Sequence, residues 1–113
     1  MGAIAVAARE DLVWKALADP TRRKLLDLLR EEPLKAGDLA ARFSMSRFGV
    51  RKHLVALEAA GLVIVRQRGR ERWHHLNPVP IRDIYRRWIR PFEEEGADRM
   101  LLLKRHVERK DDR

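Results

Sequence analysis

Val50, His53, Leu54 and Leu57 recur at i, i+3, i+4 and i+7, the spacing of a core-facing helical stripe. Arg47, Arg51 and Lys52 collect toward the N-terminal end on another side. The helix this predicts, residues 46–60, has readable ends. The Ser46 hydroxyl suits an N-cap, and Gly61 suits the position just past the end because it takes positive φ without steric cost. Upstream, residues 9–18 place Leu12, Val13, Ala16 and Leu17 on one apolar side, with Trp14 off the stripe. Asp19 caps a second helix whose first residue is Pro20, where the missing N–H is harmless. Leu25, Leu28 and Leu29 form its stripe, Leu26 broadens it, and Glu31-Glu32-Pro33 ends it. A short third helix over residues 36–43 presents Leu39 and Phe43. Ser44-Met45 is then the turn before the fourth, so helices three and four make a helix-turn-helix.

Beyond Gly61 the period changes from helix to strand. Residues 62–65 are rich in β-branched side chains, Arg68-Gly69-Arg70 reads as a turn, and residues 71–76 return, giving a hairpin, the wing, over about residues 63–76. Arg66, Arg68, Arg70 and Arg72 sit two apart, so an extended ribbon is expected to project them to one side, toward phosphates or a minor groove. Asn77-Pro78-Val79-Pro80 restarts a helix in which Ile81, Ile84, Tyr85, Trp88 and Ile89 share a face. Pro91 predicts a kink or break between Trp88 and Phe92. A last helix over residues 97–110 carries Met100, Leu103 and Val107, with Leu101 and Leu102 alongside. A compact core is already complete by Leu76. The later apolar faces therefore point to a homodimer, with Leu12, Trp14, Trp88, Met100, Leu103 and Val107 at the seam.

At 113 residues the chain is expected to form one domain, residues 9–110, between a tail at 1–8 and a charged end at 111–113. The formal net charge of +8 and a pI near 10.8 favour a polyanionic partner, nucleic acid first and anionic membrane second. There is no cysteine, so disulfide and thiolate chemistry are excluded. The apolar N-terminus lacks the basic flank of a signal peptide and any myristoylation pattern, and nothing approaches the roughly 20 apolar residues of a membrane span. A cytoplasmic location is expected, with no membrane partner. No nucleophile-base set, phosphate-cradling loop or metalloprotease motif supports catalysis, so the chain is not expected to be an enzyme.

The order and spacing of these motifs resemble the ArsR/SmtB family of winged helix-turn-helix transcriptional regulators. The resemblance runs from residues 14–23 through 25–29 and Asp38-Leu39-Ala40 to His53-Leu54, Gly61-Leu62-Val63 and Gly69. It implies a mainly α fold with a small β-hairpin wing, in the order α-α-α-α-β-β-α-α. It further implies a homodimeric repressor that binds an inverted-repeat operator in double-stranded DNA. Ser46, Arg47, Phe48, Arg51 and Lys52 would then enter the major groove, and Arg66, Arg68, Arg70 and Arg72 would grip flanking backbone or minor groove. Two other readings fit the same charge: a non-specific nucleic-acid or architectural protein, and a winged-helix module that binds an acidic protein.

The resemblance also raises metal sensing. The positions of the family's paired cysteines hold Lys35 and Gly37, so the thiolate site is absent. A second family site, between C-terminal helices, leaves His106 and Glu108 as candidates, with Asp83, Glu93 or Asp98, for nickel or zinc. Residues two apart on a helix do not face one another, so no metal or other cofactor is predicted, and the effector is unknown. His74 and His75 point to opposite faces of a strand and cannot share an ion; His74 is expected to be partly buried and hydrogen-bonded. His53 is expected to be structural or backbone-bonding. Arg51 stands where many relatives carry a small hydroxyl residue. Gly49, within a helix, costs about 1 kcal/mol relative to alanine unless a close approach needs it.

Overall fold

A computed structural model describes residues 3–111; residues 1–2 of the expected tail and 112–113 of the charged end lie outside them. The elements are α1 (Ala3–Ala18), α2 (Pro20–Glu31), α3 (Ala36–Phe43), α4 (Arg47–Ala59), β1 (Val63–Arg68), β2 (Glu71–Leu76) and α5 (Val79–Ile84). Two π-helical turns, Tyr85–Ile89 and Glu93–Ala97, flank a short α6 (Arg90–Phe92) and lead into α7 (Asp98–Asp111). The chain is thus mainly α with one two-stranded antiparallel hairpin. It divides after Ile81 into two compact units.

In the first unit the apolar stripes converge. Leu25, Leu39, Val50, Leu54, Leu57 and Leu62 are fully buried, with Val13, Ala16, Leu26, Leu29, Ala40 and Val63 around them. The stripes differ from expectation at their margins. Leu26 is buried where Leu28 is only partly so, and Leu12 is exposed while its neighbour Val13 is buried. α1 begins at Ala3 rather than Arg9, because its alanine-rich start continues the helix. The caps fall where the sequence places them. Asp19 Oδ1 accepts from the Thr21 and Arg22 N–H groups at 2.8 and 3.1 Å, and α2 stops at Glu31 with Glu32 extended ahead of Pro33.

One long-range link carries no periodic signal. Leu34, between α2 and α3, pairs with His74 as an isolated antiparallel bridge: Leu34 N–H donates to the His74 carbonyl (3.2 Å) and His74 N–H to the Leu34 carbonyl (2.9 Å). This ties the start of the helix-turn-helix to the edge of the hairpin. Leu34 itself is buried.

In the second unit Pro91 interrupts the regular α-helix without ending the helical run. Helical backbone runs on from Tyr85 to Asp111, and the strain is taken up by the π turns. A proline in a regular α-helix clashes with the carbonyl four residues back and leaves it without a donor; an extra residue in the preceding turn relieves both. The Arg90 N–H accordingly reaches back to the Tyr85 carbonyl. Side chains span the irregular stretch: Tyr85 Oη donates to Glu93 Oε2 at 2.6 Å and Arg90 Nε pairs with Glu94 Oε1 at 2.9 Å. Trp88 and Phe92 meet edge-to-face at 5.0 Å.

Candidate nucleic-acid interface

α4 is fixed at both ends by its own sequence. Ser46 Oγ accepts from the Gly49 N–H at 3.0 Å. At the far end Gly61, at φ +75°, lets its N–H reach the Glu58 carbonyl and the Leu62 N–H reach the Leu57 carbonyl, each at 2.9 Å, a Schellman cap. With Val50, Leu54 and Leu57 turned into the core, the outward face at i, i+3, i+4 and i+7 is Phe48, Arg51, Lys52 and Val55, all exposed. Lys52 Nζ lies over the Phe48 ring at 4.7 Å from its centroid. Arg47 is exposed but folds back: its guanidinium lies over Gly37 of α3, where a Cβ would stand only 3.0 Å from a terminal nitrogen. Within the chain Gly49 serves no tight helix–helix approach, since a Cβ there would meet only the flexible tip of Met45 (3.2 Å) and Ser46 Oγ (3.5 Å).

The hairpin corrects one expectation about the arginines. Arg68 pairs with Glu71 and Gln67 with Arg72, so only Gly69 and Arg70 form the loop, with Gly69 at φ +62°. A two-residue loop reverses the sequence parity between strands. Arg66 and Arg68, opposite Trp73 and Glu71, therefore share one face, while Arg72, opposite Gln67, lies on the other. The four do not project to one side. Arg68 stacks on Trp73 at 5.8 Å.

Arg70 and Arg72, rather than Arg66 and Arg68, share a cleft with α4. The cleft, about 740 Å³, is bounded by residues 35–38, by Arg47, Phe48, Arg51, Leu54, Val55 and Glu58, and by residues 70–72 with His74. Its lining holds five cations (Lys35, Arg47, Arg51, Arg70, Arg72) against three carboxylates (Asp38, Glu58, Glu71), so it is cationic. One charge is already committed: Lys35 Nζ donates to Glu71 Oε2 at 2.6 Å, which raises the lysine pKa. The other cationic side chains lining the cleft are arginines, the residues suited to bidentate recognition of phosphate and guanine.

His53 and His74 are structural. The His74 ring is buried and its Nδ1 lies 3.2 Å from the Leu34 carbonyl, as a donor in the neutral tautomer; burial lowers its pKa. His53 Nδ1 accepts from Arg22 Nε at 3.3 Å, so its partner is a side chain of α2 rather than a backbone group. Arg22 also donates to the Lys15 carbonyl and so joins α1, α2 and α4. Asp19 is held below the usual carboxylate range chiefly by the Arg22 N–H.

Lys35 and Gly37 do not fit a soft metal. One carries an ammonium paired to Glu71, and the other is roofed by the Arg47 guanidinium. Among the described residues no group of three or more histidines and carboxylates is arranged to hold a metal ion; His106 and Glu108 are exposed on α7. Leu12 and Trp14 on α1 are exposed, as are Trp88, Phe92, Met100, Leu103 and Val107 in the second unit. No helix among the described residues is long and apolar enough to cross a membrane.

A helix-turn-helix with a capped, cation-bearing second helix and an arginine-rich hairpin beside it defines a winged helix-turn-helix DNA-binding protein. The helix-turn-helix domain family matches residues 17–66. The chain is 36% identical over 84 residues to the transcriptional repressor SdpR of Bacillus subtilis, covering 74% of this chain and 92% of that one. It is 39% identical over 84 residues to the HTH-type transcriptional regulator Rv2034 of Mycobacterium tuberculosis, covering 71% and 78%. Its fold is similar to that of an ArsR-like transcriptional regulator from Rhodococcus sp. RHA1, with a TM-score of 0.75 and 30% identity, over 95% of this chain and 97% of that one. The chain belongs to the ArsR/SmtB family of DNA-binding transcriptional regulators, which are not enzymes.

Proposed function

We propose that this protein represses transcription by binding, as a homodimer in the cytoplasm, to an inverted-repeat operator. The observation that carries the reading is the cationic cleft in which the outward face of α4 meets Arg70 and Arg72 of the hairpin. A duplex seated there would meet Arg51, Lys52 and Phe48 with its base edges and the wing arginines with its phosphates. Ser46 and Arg47 stand at the N-terminal end of the same helix, Arg47 drawn toward α3; Arg66 and Arg68, on β1, would reach only flanking backbone. The repressor role is supported by the name of the relative SdpR.

Dimerisation is supported by the exposed apolar residues. Leu12 and Trp14 on α1, and Trp88, Met100, Leu103 and Val107 in the second unit, would form the seam, consistent with a shallow apolar groove lined by Phe92, Met100 and Leu103. No metal is needed for this reading, and none is assigned to His106 or Glu108.

The test is binding to a selected operator and to random duplex at one salt concentration. Sequence-specific regulators bind their sites about 10³-fold or more tighter. Equal affinity for both would make this an architectural nucleic-acid binder, and negligible affinity for either would turn the basic face toward an acidic protein. Arg51→Ala should lower operator affinity by about 1–3 kcal/mol and relax preference at one base pair, with little effect on random duplex.

A further inference from the structure

The outward face of α4 is not simply basic. Of its four residues two are apolar, and Phe48, in the first turn, is 69% exposed, with Val55 at 57% further along. Isolated apolar residues on a protein surface are ordinary, but this ring lies inside the cleft, beside Arg51 and Arg47. The arrangement around it keeps it forward. Arg47, the preceding residue, is folded away over Gly37, and Lys52 lies over the ring, leaving the rest of it free.

A duplex docked on α4 must therefore bring something against an aromatic ring. The major-groove edges of the bases present donors and acceptors, and one apolar group only, the C5-methyl of thymine. A polar base edge against Phe48 would lose its water without gaining a partner, whereas a methyl group loses nothing. From this we infer that Phe48 is a specificity-determining residue that selects thymine, by contact of its ring with the C5-methyl group. Arg51 lies one helical turn on, with a Cβ about 5–6 Å from that of Phe48. Base pairs rise about 3.4 Å along each strand, so the selected thymine falls one or two base pairs from the base that Arg51 reads. The inference rests on the DNA-binding reading above and adds the identity of one base.

The experiment uses the full chain and the operator recovered from a pool of random duplexes. Each thymine in one half-site is replaced in turn by deoxyuridine, which removes the methyl group and leaves every hydrogen-bonding atom in place. At one position the wild-type protein should lose about fourfold in affinity, the worth of one buried methyl group. Phe48→Ala should bind the thymine and deoxyuridine forms of that site equally, and Phe48→Leu should recover part of the discrimination. Phe48 is mostly exposed, so these variants should fold; circular dichroism and binding to random duplex check that they do. Wild-type protein indifferent to every deoxyuridine would overturn the inference, as would a loss that persists undiminished in Phe48→Ala. A pool that yields no preferred sequence would instead overturn the DNA-recognition reading itself, so the two failures are distinct.

Discussion

The wing offers the sharpest test of how the cleft works, because the hairpin register separates its four arginines into two pairs. Arg70 and Arg72 line the cleft with Arg51, while Arg66 and Arg68, on β1, do not. Two double variants, Arg70→Ala with Arg72→Ala and Arg66→Ala with Arg68→Ala, remove the same charge from the two sides. Each phosphate left without its arginine should flatten the slope of log K against log salt by about 0.9. With two arginines in each of two protomers, the cleft pair should flatten it by up to about 3.6. Between about 50 and 200 mM salt, the wild type would then lose about 150-fold more affinity than that variant. Fluorescence anisotropy with a labelled operator at four or five salt concentrations gives both slopes. The β1 pair should change the slope by less than half as much, and neither variant should alter which sequence is preferred. Equal slopes for the two variants, or a larger change for the β1 pair, would refute the assignment of the cleft as the phosphate-binding side.

Other expectations follow from particular residues. Gly61→Ala places a Cβ at 3.7 Å from Pro80 Cγ, an ordinary contact, so its cost should be that of positive φ alone, about 1–2 kcal/mol in a denaturant titration. Burial lowers the His74 pKa, so the unfolded chain takes up the proton first; stability should be full above the ordinary histidine value of 6.5 and fall as pH drops from there through the folded value. His74→Phe should flatten that pH dependence in thermal melts, and an unchanged pH profile would count against the buried neutral ring. Arsenite and cadmium should leave the operator complex intact, since Lys35 is paired with Glu71 and Gly37 is covered by Arg47; nickel or zinc release abolished by His106→Ala would place a metal on α7 after all. Leu103→Glu should put a charge into the proposed seam and weaken both self-association, by sedimentation, and operator binding.

The recognition helix is legible in the sequence because its ends are written locally. Ser46, Gly61 and the apolar spacing between them are enough to set both limits, and Gly69 likewise sets the hairpin turn. The features that sequence does not disclose are tertiary or depend on register. A single bridged residue such as Leu34 has no periodicity to detect, although its place just after Pro33, among polar neighbours, is a usable signal. The split of the arginines follows from loop length: a spacing by two keeps one face only along a single strand, whereas a two-residue loop inverts the parity. Pro91 has a usual effect on an α-helix, and the π turns on either side of α6 are a response that proline alone does not specify. Arg47 lies back because Gly37 leaves room for it, a pairing ten residues apart that helix spacing cannot reveal.

If two copies of this cleft read one symmetric site, the symmetry must appear in the DNA they select. Bound sequences are recovered from a random duplex pool with the purified full chain, and the protected bases are mapped at single-nucleotide resolution. We expect one enriched inverted repeat whose half-site centres lie about one helical turn apart, roughly 34–36 Å, occupied by two protein chains per duplex. Enrichment of a single unrepeated site bound by one chain, or no enrichment at all, would contradict the two-cleft mechanism.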